Sequence, residues 1–458
     1  MKIVWHMPTL RRTTCGLSIR AIELARRLNE AGHVVTFVVD RDKTDIFEDT
    51  VGALRLRRLA VAKRRPVHWG LQARARRAAA VQAVRQIAGE AELAHDLMIS
   101  CQPEVVAAYA GIAHRGPLLY VCGGTTLLHD EAERTAWSAL PIVRRVHYAI
   151  DRHLKRRHEA AAFAAADAVV FDSDHTREMV VETYAVAPDR CHTVYGGVDE
   201  LRFKPPTPDQ RRRARQSLGI SADGVVVVWT GRFSPEKNLE LLLRALPLCR
   251  KTPEQVLLVG DGPRREHLVE LAAELRLRIA VGTNDLLTRE SPPGGAKPPQ
   301  GGGRMPVVRF TGEQVDVRPF LHAADIFAFP SRGESFGVSL VEAMACGLPC
   351  VALRPDNSGI RSASDEIIEH GRTGLLVDEP SPRAFAATLD LLALDGEGRR
   401  RCGEAGWARA CEHFTWTAGA RRLADLISKL VPVPAPSDIQ SESRRPGAIS
   451  LPHSAVGG

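Results

Sequence analysis

The chain has few aromatic residues and no long hydrophobic run. Aromatic residues make up 5% of its 458 residues, so its core must be built from alanine, leucine and valine. No stretch approaches the roughly 20 apolar residues that span a bilayer. The amino-terminal "MKIVWHMPTL" predicts a strand and lacks the apolar segment of a signal peptide. We therefore expect a cytoplasmic protein, attached at most to the inner face of the cell membrane.

Close cysteine pairs at metal-ligand spacing are also absent. The nine cysteines are scattered, which indicates reduced thiols rather than a disulfide framework or a zinc site. The net charge of +8 suits an anionic partner such as a nucleotide phosphate, an anionic lipid or a nucleic acid. The two most basic segments are 54–86 and 144–167, which are equally typical of a surface that docks on anionic lipid and of a solvated arginine-rich face. They contain only Trp69, Tyr148 and Phe163 as aromatic residues. Because nucleic-acid binding favours interleaved aromatics, this composition argues against it.

Short apolar runs alternate with helical patterns along most of the chain. The runs are "KIVWHM", "HVVTFVVD", "DLMIS", "LLYVC" and "AVVFDS", then "VVVVWTG", "QVLLVGDG", "VVRFTG", "IFAFPS" and "PCVAL". Such alternation predicts parallel sheets, and ligands bind beyond the carboxyl ends of their strands. We predict an α/β fold of two Rossmann-like domains facing a central cleft, with boundaries at 1–205 and 206–412. A disordered tail follows at 432–458, and 288–306 is a Pro/Gly-rich insertion.

The stretch "SRGESFGVSLVEAMACGLPCVA" (Ser331 to Ala352) predicts a loop and then a helix at the carboxyl end of a strand. The amides of the first helical turn lack intrahelical partners and attract anions. Phe336, Gly337, Val338 and Ser339 supply these amides. Carboxylates such as those of Glu334 and Glu342 accept hydrogen bonds from hydroxyl groups, so the pattern favours a nucleotide sugar. Separately, each glutamate is equally typical of a loop charge or a helix-start acid.

Two further loops follow strands of the second half. In "TGRFSPEKN", Arg232 and Lys237 come after Gly231, and two such cations can clamp a diphosphate. In "LLVGDGP", glycines flank Asp261 and let the backbone approach a ligand. Asp261 is equally well interpreted as a structural helix cap. The alternative interpretation of Arg232 and Lys237 is that they are solvated surface charges.

The second half resembles glycosyltransferase family 4, which has the GT-B fold. The similar passages are "TGRFSPEKNLELLLRAL", "LLVGDGP", "VRFTGEQ", "AADIFAFPSRGESFGVSLVEAMACGLPCVA" and "IIEHGRTGLLVD". The first half is similar more loosely, through "RAIELARRLNEAGHVVTFVV", "ADAVVFDSDHTREMV" and "VYGGVDELRFKP". The resemblance implies retaining transfer from a nucleoside diphosphate sugar to an unknown acceptor, which is lipid-linked, a saccharide or a small molecule, without a required metal or other cofactor.

The resemblance also implies that the segment 413–431 is a closing helix that returns to the first domain. It implies roles for single residues as well. Arg232 and Lys237 fall on positions that hold the donor pyrophosphate, Glu334 on the one that contacts the donor sugar, and Glu342 on the one that binds ribose hydroxyls. Candidate catalytic residues are therefore Arg232, Lys237, Glu334 and His129. The donor site adds Gly16, Gly231, Asp261, Glu342 and the amides of residues 336–339.

The chain departs from the family pattern in its first half. "RRTTCGLS" has Cys15-Gly16 where the family often has two glycines, and "LLYVCGGTTLLHDEAE" offers His129 as the one histidine near an expected catalytic position. His129 is alternatively a helix-cap or surface residue. "FDSDHT" resembles a metal-binding motif of other sugar transferases, but we interpret Asp172-Ser173-Asp174 as a turn and N-cap. The alternatives to transfer are a phosphorylase, an epimerase, or a non-catalytic scaffold that binds a membrane or partner through its basic face.

Overall fold

The computed structural model describes most of both predicted halves. The described residues are 1–8, 10, 16–40, 50–51, 53–59, 70–112, 115–128, 141–282, 305–356 and 359–431. Two α/β sheets stand in sequence order, and a cavity lies between them. The predicted fold class is therefore confirmed.

The strands fall into two groups. The first sheet contains β1 (Lys2–Met7), β2 (Val34–Asp40), β3 (Thr50–Val51), β4 (Leu54–Leu59), β5 (Leu97–Ser100), β6 (Leu118–Cys122), β7 (Ala168–Phe171) and β8 (Cys191–Thr193). The second contains β9 (Val226–Thr230), β10 (Gln255–Val259), β11 (Arg278–Val281), β12 (Val307–Gly312), β13 (Ile326–Phe329), β14 (Cys350–Leu353) and β15 (Gly374–Val377).

Helices connect the strands and cover both sheets. In the first half they are α1 (Gly16–Glu30), α2 (Gly70–Gly89), α3 (Pro103–Tyr109), α4 (Ile142–Ala165) and α5 (Asp174–Tyr184). They continue with α6 (Pro208–Ser217), α7 (Leu239–Ala245), α8 (Arg265–Glu274), α9 (Arg318–Ala323), α10 (Val338–Ala345), α11 (Ser364–Ile367), α12 (Pro382–Leu394), α13 (Gly396–His413) and α14 (Trp416–Leu430). Short 3-10 helices lie at Ala91–Leu93, Pro188–Arg190, Pro235–Lys237 and Leu246–Leu248.

The strand order brings three loops to one place. The first sheet runs β3-β4-β2-β1-β5-β6-β7-β8 and the second β11-β12-β10-β9-β13-β14-β15. All the strand pairs are parallel except β3 with β4. The order reverses around β1 in the first sheet and around β9 in the second, and ligands bind at such switch points. The carboxyl ends of β1, β9 and β13 therefore face the space between the sheets.

Continuous apolar strands form the middle layer of each domain. All five residues of β9 and all five of β10 are buried. A parallel sheet is covered by helices on both faces, so its strands do not alternate between apolar and polar residues. Separate apolar clusters on the two faces of each sheet complete the cores.

The basic segment 54–86 begins with a strand and not with a surface that is basic on all sides. "LRLRRL" forms β4, whose leucines are buried while Arg55 and Arg57 point outward. Arg57 pairs with Glu90 at 2.9 Å. The arginines obscured the alternation of a half-buried strand, which pairs with β2 in parallel. The first part of this segment is therefore an element of the sheet.

The last helix returns to the first domain. Thr415 caps α14 by accepting a hydrogen bond from the amide of Ala418 at 3.1 Å. Leu423 and Ile427 of α14 are buried in the same apolar cluster as Trp5 of β1. The carboxyl-terminal helix therefore contributes to the amino-terminal core, although the exact domain boundaries remain a prediction.

Several predictions concern residues outside the described part of the chain. They are His129, Cys15, most of the insertion at 288–306 and the predicted disordered tail at 432–458. The described cysteines are all free thiols.

Candidate functional site

A cavity of about 590 Å³ lies between the two sheets. This volume is in the range of small-molecule sites. Loops from both domains line it, at the carboxyl ends of β1, β9 and β13. The predicted donor-site residues among its lining are Gly16, Gly231, Lys237, Glu334, Phe336, Gly337, Val338, Ser339 and Glu342.

The amino terminus of α10 points its free amides into this cavity. Gly337 has φ of 105°, a left-handed conformation that side chains disfavour. A Cβ there would also lie 3.1 Å from the Cζ atom of Phe329. Helical hydrogen bonding begins with the amide of Leu340, which donates to the Gly337 carbonyl at 3.0 Å. The amides of Val338 and Ser339 precede it and are positioned to bind an anion.

Lys237 and Glu334 pair with each other in this cavity. The Lys237 ammonium donates a hydrogen bond to the Glu334 carboxylate, and both side chains are largely buried. The left-handed Asn238 follows Lys237, and its side-chain amide donates to the Pro330 carbonyl at 3.1 Å. That bond ties the loop after β9 to the end of β13. A cation and a carboxylate are thereby held at fixed places beside the amides of α10.

Glu342 presents the second carboxyl group to the cavity. Burial raises its pKa to about 7, and the nearby Arg202 opposes that shift. Among the described residues, none donates a hydrogen bond to this carboxyl group. A half-buried carboxyl group without a donor favours a ligand that brings hydroxyl groups.

Two predicted site residues do not line the cavity. Arg232 is exposed, one residue beyond Gly231. The Asp261 carboxylate accepts from the amide of Gly262 at 2.7 Å and pairs with Arg265 at 2.8 Å. These contacts are local, but Asp261 is not the cap of α8, whose N-cap is Arg264. The ligand roles of Arg232 and Asp261 remain predictions.

The glycine before Asp261 has a clear structural reason. A Cβ at Gly260 would lie 1.8 Å from the carbonyl oxygen of Gly231, and its φ is 143°. The loops after β9 and β10 therefore approach each other closely. Glycine is required at this position for packing of the two loops, whether or not a ligand binds there.

The first domain contributes an ion pair that sequence reasoning missed. Arg20 of α1 pairs with Asp172 at 3.0 Å, with exposures of 4% and 11%. Arg20 also donates to the Val194 carbonyl at 2.7 Å. The sequence held one signal for this ion pair. Arg20 precedes the buried Leu24 by four residues and so lies on the core-facing side of the predicted helix.

The interpretation of Asp172-Ser173-Asp174 as a turn and N-cap is correct only in part. Ser173 caps α5 by accepting from the amide of Thr176 at 3.1 Å, which confirms the N-cap. Asp172 instead lines the cavity and accepts a hydrogen bond from Ser335 at 3.1 Å. Within the described ranges, no group of three histidine, cysteine or acidic side chains is placed to hold a metal ion.

Other lining residues come from passages that we had used only for the resemblance. Gly196, Gly197, Asp199 and Arg202 of "VYGGVDELRFKP" line the cavity, as does Trp416 at the start of α14. A Cβ at Gly196 would lie 2.4 Å from a ring carbon of Phe336, so the two domains meet there. The glycine pair was the signal for this close approach.

Glu366 of the second domain binds the first domain at the amino terminus of α5. Its carboxylate accepts from the amides of Asp174 at 2.8 Å and His175 at 2.6 Å. Burial raises the pKa of Glu366 to about 7, and these two amides oppose the shift. The carboxylate lies at the positive end of the helix dipole, so the contact fixes one domain against the other.

A second cavity of about 400 Å³ adjoins the first, and both are lined by Leu17 and Gly123. Its walls carry hydroxyl, carboxyl and basic groups. Glu159 accepts from the hydroxyls of Thr125 and Thr126 at 3.0 and 2.9 Å. The remaining lining residues are Cys101, Gly124, Tyr148, Asp151, Arg152 and Lys155. This cavity belongs entirely to the first domain and suits a polar ligand.

Comparison with protein families gives three matches along the chain. The model described as Glycosyltransferase Family 4 matches residues 14–202. Two models, each described as Glycosyl transferases group 1, match residues 210–283 and 295–395. Together they cover all the strands of both sheets except β1.

Two curated proteins are similar to the chain. A D-inositol 3-phosphate glycosyltransferase of Saccharomonospora viridis is 34% identical over 58% of this chain and 57% of its own length. A GDP-mannose-dependent alpha-(1-6)-phosphatidylinositol monomannoside mannosyltransferase of Mycolicibacterium smegmatis is 30% identical over 70% of this chain and 75% of its own length. The chain thus spans little more than half the length of the first.

A solved structure supports the fold over nearly the whole chain. HepE of Anabaena, crystallised in complex with UDP and glucose, has a TM-score of 0.65 with 20% identity. The match covers 93% of this chain and 99% of HepE. This likeness confirms the expected GT-B fold.

Proposed function

Because the chain belongs to glycosyltransferase family 4, we propose that it transfers a sugar from a nucleoside diphosphate sugar to an acceptor hydroxyl group. One observation carries the proposal. Lys237, Glu334, Glu342 and the free amides of Val338 and Ser339 line a single cavity between the domains. A cation and helix amides suit a diphosphate, and the two carboxyl groups suit the hydroxyls on either side of it.

The bound donor would change the pairing of Lys237. In the free protein its ammonium binds Glu334. A diphosphate between Lys237 and the amides of α10 competes for that ammonium, and Glu334 then becomes available to the donor sugar. Glu342, in the second turn of α10, lies on the side of Arg202 and takes the ribose hydroxyls.

Transfer would proceed with retention of configuration. The bond from the anomeric carbon to the phosphate oxygen breaks, and a bond to the acceptor oxygen forms on the same face. The departing phosphate oxygen takes the acceptor's proton. Lys237 and the α10 amides stabilise the negative charge that develops on the leaving group. The proposed mechanism therefore needs no metal ion, and chelation leaves the rate unchanged.

The acceptor is proposed to be a phosphorylated polyol of the inositol type. The two curated relatives carry inositol phosphate and phosphatidylinositol monomannoside in their names. The second cavity offers hydroxyl and carboxyl groups from Thr125, Thr126 and Glu159, and basic groups from Arg152 and Lys155. Such a lining suits ring hydroxyls together with a phosphate.

The test begins with donor binding. Thermal shifts are measured with GDP-mannose, UDP-glucose, GDP and UDP, because a ligand of the folded state raises the melting temperature. Lys237→Met is expected to lose the shift, while Lys251→Met, an exposed lysine outside the cavity, keeps it. Equal shifts in both variants would refute the site.

Turnover is then measured with the donor that binds. Release of nucleoside diphosphate is followed with inositol phosphates, with and without EDTA, and the anomeric configuration of the product is read by NMR. We expect release only with acceptor and an unchanged anomeric configuration. Conversion of the donor without acceptor would indicate an epimerase, use of inorganic phosphate a phosphorylase, and donor binding without turnover a scaffold.

A further inference from the structure

Two residues join the cavity between the sheets to the second cavity. Among the described residues, only Leu17 and Gly123 line both cavities. A Cβ at Gly123 would lie 2.5 Å from the Cδ1 atom of Leu17, so the Gly123 backbone packs directly against that side chain. In the described part of the chain, a group in the second cavity therefore reaches the first cavity past Leu17 and Gly123.

The wall beside this junction is the segment 123–126, which follows β6 and which we call the junction loop. All four of its residues line the second cavity, and Gly123 also lines the first. A segment beyond the end of a strand has no sheet hydrogen bonds to hold it. Its position therefore depends on contacts that side chains supply.

The Glu159 carboxylate of α4 holds the junction loop in place. One of its oxygens accepts from the amide of Thr126 at 2.9 Å. The other accepts from the hydroxyls of Thr125, Thr126 and Tyr184 at 3.0, 2.9 and 2.6 Å. Glu159 is 6% exposed, and hydrogen bonds to a buried charged group are stronger than neutral ones. Most of the bonding capacity of this carboxylate is therefore used inside the protein.

The helix that carries Glu159 is fixed by the core of the first domain. No described helix, α4 included, is long and apolar enough to cross a membrane. Phe163 lies one turn beyond Glu159 in α4, and its buried ring lies 5.4 Å from that of Tyr120 in β6 and 5.1 Å from that of Tyr184 in α5. Tyr184 lines neither cavity, so its hydroxyl group can affect a ligand only through the side chains that it contacts.

The junction loop also touches the second domain. The Ser335 hydroxyl group lies 3.4 Å from the Gly123 carbonyl oxygen, and Ser335 belongs to the loop after β13 that lines the first cavity. Arg361 donates at 3.3 Å to the carbonyl of Leu127, the residue just beyond the junction loop. Glu159 on one side and these contacts on the other therefore fix the loop between the two cavities.

We propose that Glu159 is a positioning residue for sugar transfer, an inference that rests on the function proposed above. The residue lies outside the first cavity and does not contact the donor. Its charge fixes the junction loop, and the loop places an acceptor hydroxyl group at the junction of Leu17 and Gly123, facing the donor. Orientation of this kind can supply a large part of a rate enhancement. Loss of the charge should leave donor binding intact and slow the transfer step.

The test compares Glu159→Gln with the unchanged chain in the transfer assay. GDP-mannose or UDP-glucose is the donor, whichever binds, and D-inositol 3-phosphate is the acceptor. Because a misplacement of about 1 Å can cost about a hundredfold in rate, we expect kcat to fall about tenfold to a hundredfold. The KM of the donor should stay within about twofold. Calorimetric titration with the donor should keep its stoichiometry, which reports that all molecules remain folded.

Tyr184→Phe tests the same network from outside the cavities. The variant removes only the hydroxyl group that binds Glu159 and should lower kcat about threefold to tenfold. Added to Glu159→Gln, it should have little further effect, because both residues belong to one hydrogen-bond network. A loss of structure alone would not give this pattern at full donor stoichiometry.

Two matched variants serve as controls. Asp390 of α12 is also 6% exposed and accepts from the amides of Arg250 and Lys251 at 2.8 and 2.9 Å. Tyr109 of α3 is buried, and its hydroxyl group pairs with His95 at 2.7 Å. Asp390 and Tyr109 lie outside both cavities, so Asp390→Asn and Tyr109→Phe should keep kcat.

The outcomes separate this role from the proposed function. Absence of transfer by the unchanged chain would refute both. If the unchanged chain transfers sugar and Glu159→Gln keeps its kcat, only the positioning role is overturned. An equal loss of kcat in Asp390→Asn, a lowered donor stoichiometry in Glu159→Gln or an additive effect of Tyr184→Phe would also overturn it. The effect would then come from a general loss of structure or from another contact.

Discussion

Glu342→Gln removes a negative charge from the cavity and keeps the size of the side chain. The Glu342 carboxyl has a pKa raised to about 7 by burial. In the proposed donor complex its ionised form accepts hydrogen bonds from two ribose hydroxyls. Such bonds to a charged group are worth about 1.5–3 kcal/mol each. Glutamine still makes neutral bonds worth about 0.5–1.5 kcal/mol each, so the loss over two bonds is about 2–3 kcal/mol. The variant should therefore bind the donor roughly thirtyfold to 150-fold more weakly at pH 8.

The raised pKa also predicts how affinity depends on pH. With a pKa near 7, about nine tenths of the carboxyl is ionised at pH 8 and about one tenth at pH 6. If only the carboxylate binds well, donor affinity of the unchanged chain falls about tenfold between these values. Glu342→Gln should show no such fall, because glutamine does not titrate.

Isothermal titration calorimetry with an intact nucleotide sugar measures both effects. The diphosphate of such a donor does not titrate in this range, so a change in affinity reports the protein. Glu240→Gln is the control, since Glu240 lies outside the cavity and pairs with Arg264. The reasoning is refuted if affinity of the unchanged chain is constant from pH 6 to pH 8, or if Glu342→Gln keeps the full pH dependence.

Three further predictions concern the stability of the site, measured as free energies of unfolding in urea. Gly337→Ala should cost about 1–2 kcal/mol, because its left-handed backbone disfavours a side chain and Phe329 lies 3.1 Å from the new Cβ. Arg20→Met should cost about 3–5 kcal/mol by leaving Asp172 buried without its cation. Glu366→Gln should flatten the pH dependence of the free energy of unfolding, because the Glu366 carboxyl has a pKa of about 7 in the folded state and an ordinary pKa of 4.5. The stability that Glu366 contributes through this shift is therefore complete below pH 4.5 and lost as the pH rises to 7.

Each of these variants has its own comparison. A Cβ at Gly89 would meet open space, and the φ of Gly89 is not in the left-handed range, so Gly89→Ala should not lower the free energy of unfolding. An equal loss of stability in Gly337→Ala and Gly89→Ala would contradict the strain argument. Adding Asp172→Asn to Arg20→Met should restore part of the loss, and no recovery would show that the pair is not coupled. If the free energy of unfolding of Glu366→Gln changes with pH between about pH 5 and 7 as steeply as that of the unchanged chain, the Glu366 carboxyl titrates normally.

Sequence patterns predicted the parts of the fold that depend on local structure. Strands buried on both faces appear as continuous apolar runs, so β9, β10 and β13 were recognisable. β4 was missed because its exposed positions carry arginines. β8, β11 and β15 were also missed: β8 and β11 contain polar residues, and β15 begins with a glycine.

The candidate site was predictable on the donor side and much less on the acceptor side. The loops after β9 and β13 could be placed because carboxyl ends of neighbouring parallel strands meet at one edge. Glu366 and Arg20 gave no comparable signal. Glu366 binds amides at Asp174 and His175 that are 192 and 191 residues away in the chain. No periodicity in the sequence encodes such a separation.

The amino-acid sequence by itself determined the two α/β halves, the loops that end their strands and the free amides of α10, because each follows from the order of apolar and polar residues within a short segment. Only the tertiary structure decided that Lys237 binds Glu334, that Arg20 neutralises Asp172 and that Glu366 binds the amino terminus of α5. These contacts arise when separate segments pack together. Their energies depend on burial and on distances across the cleft, which chain order does not specify.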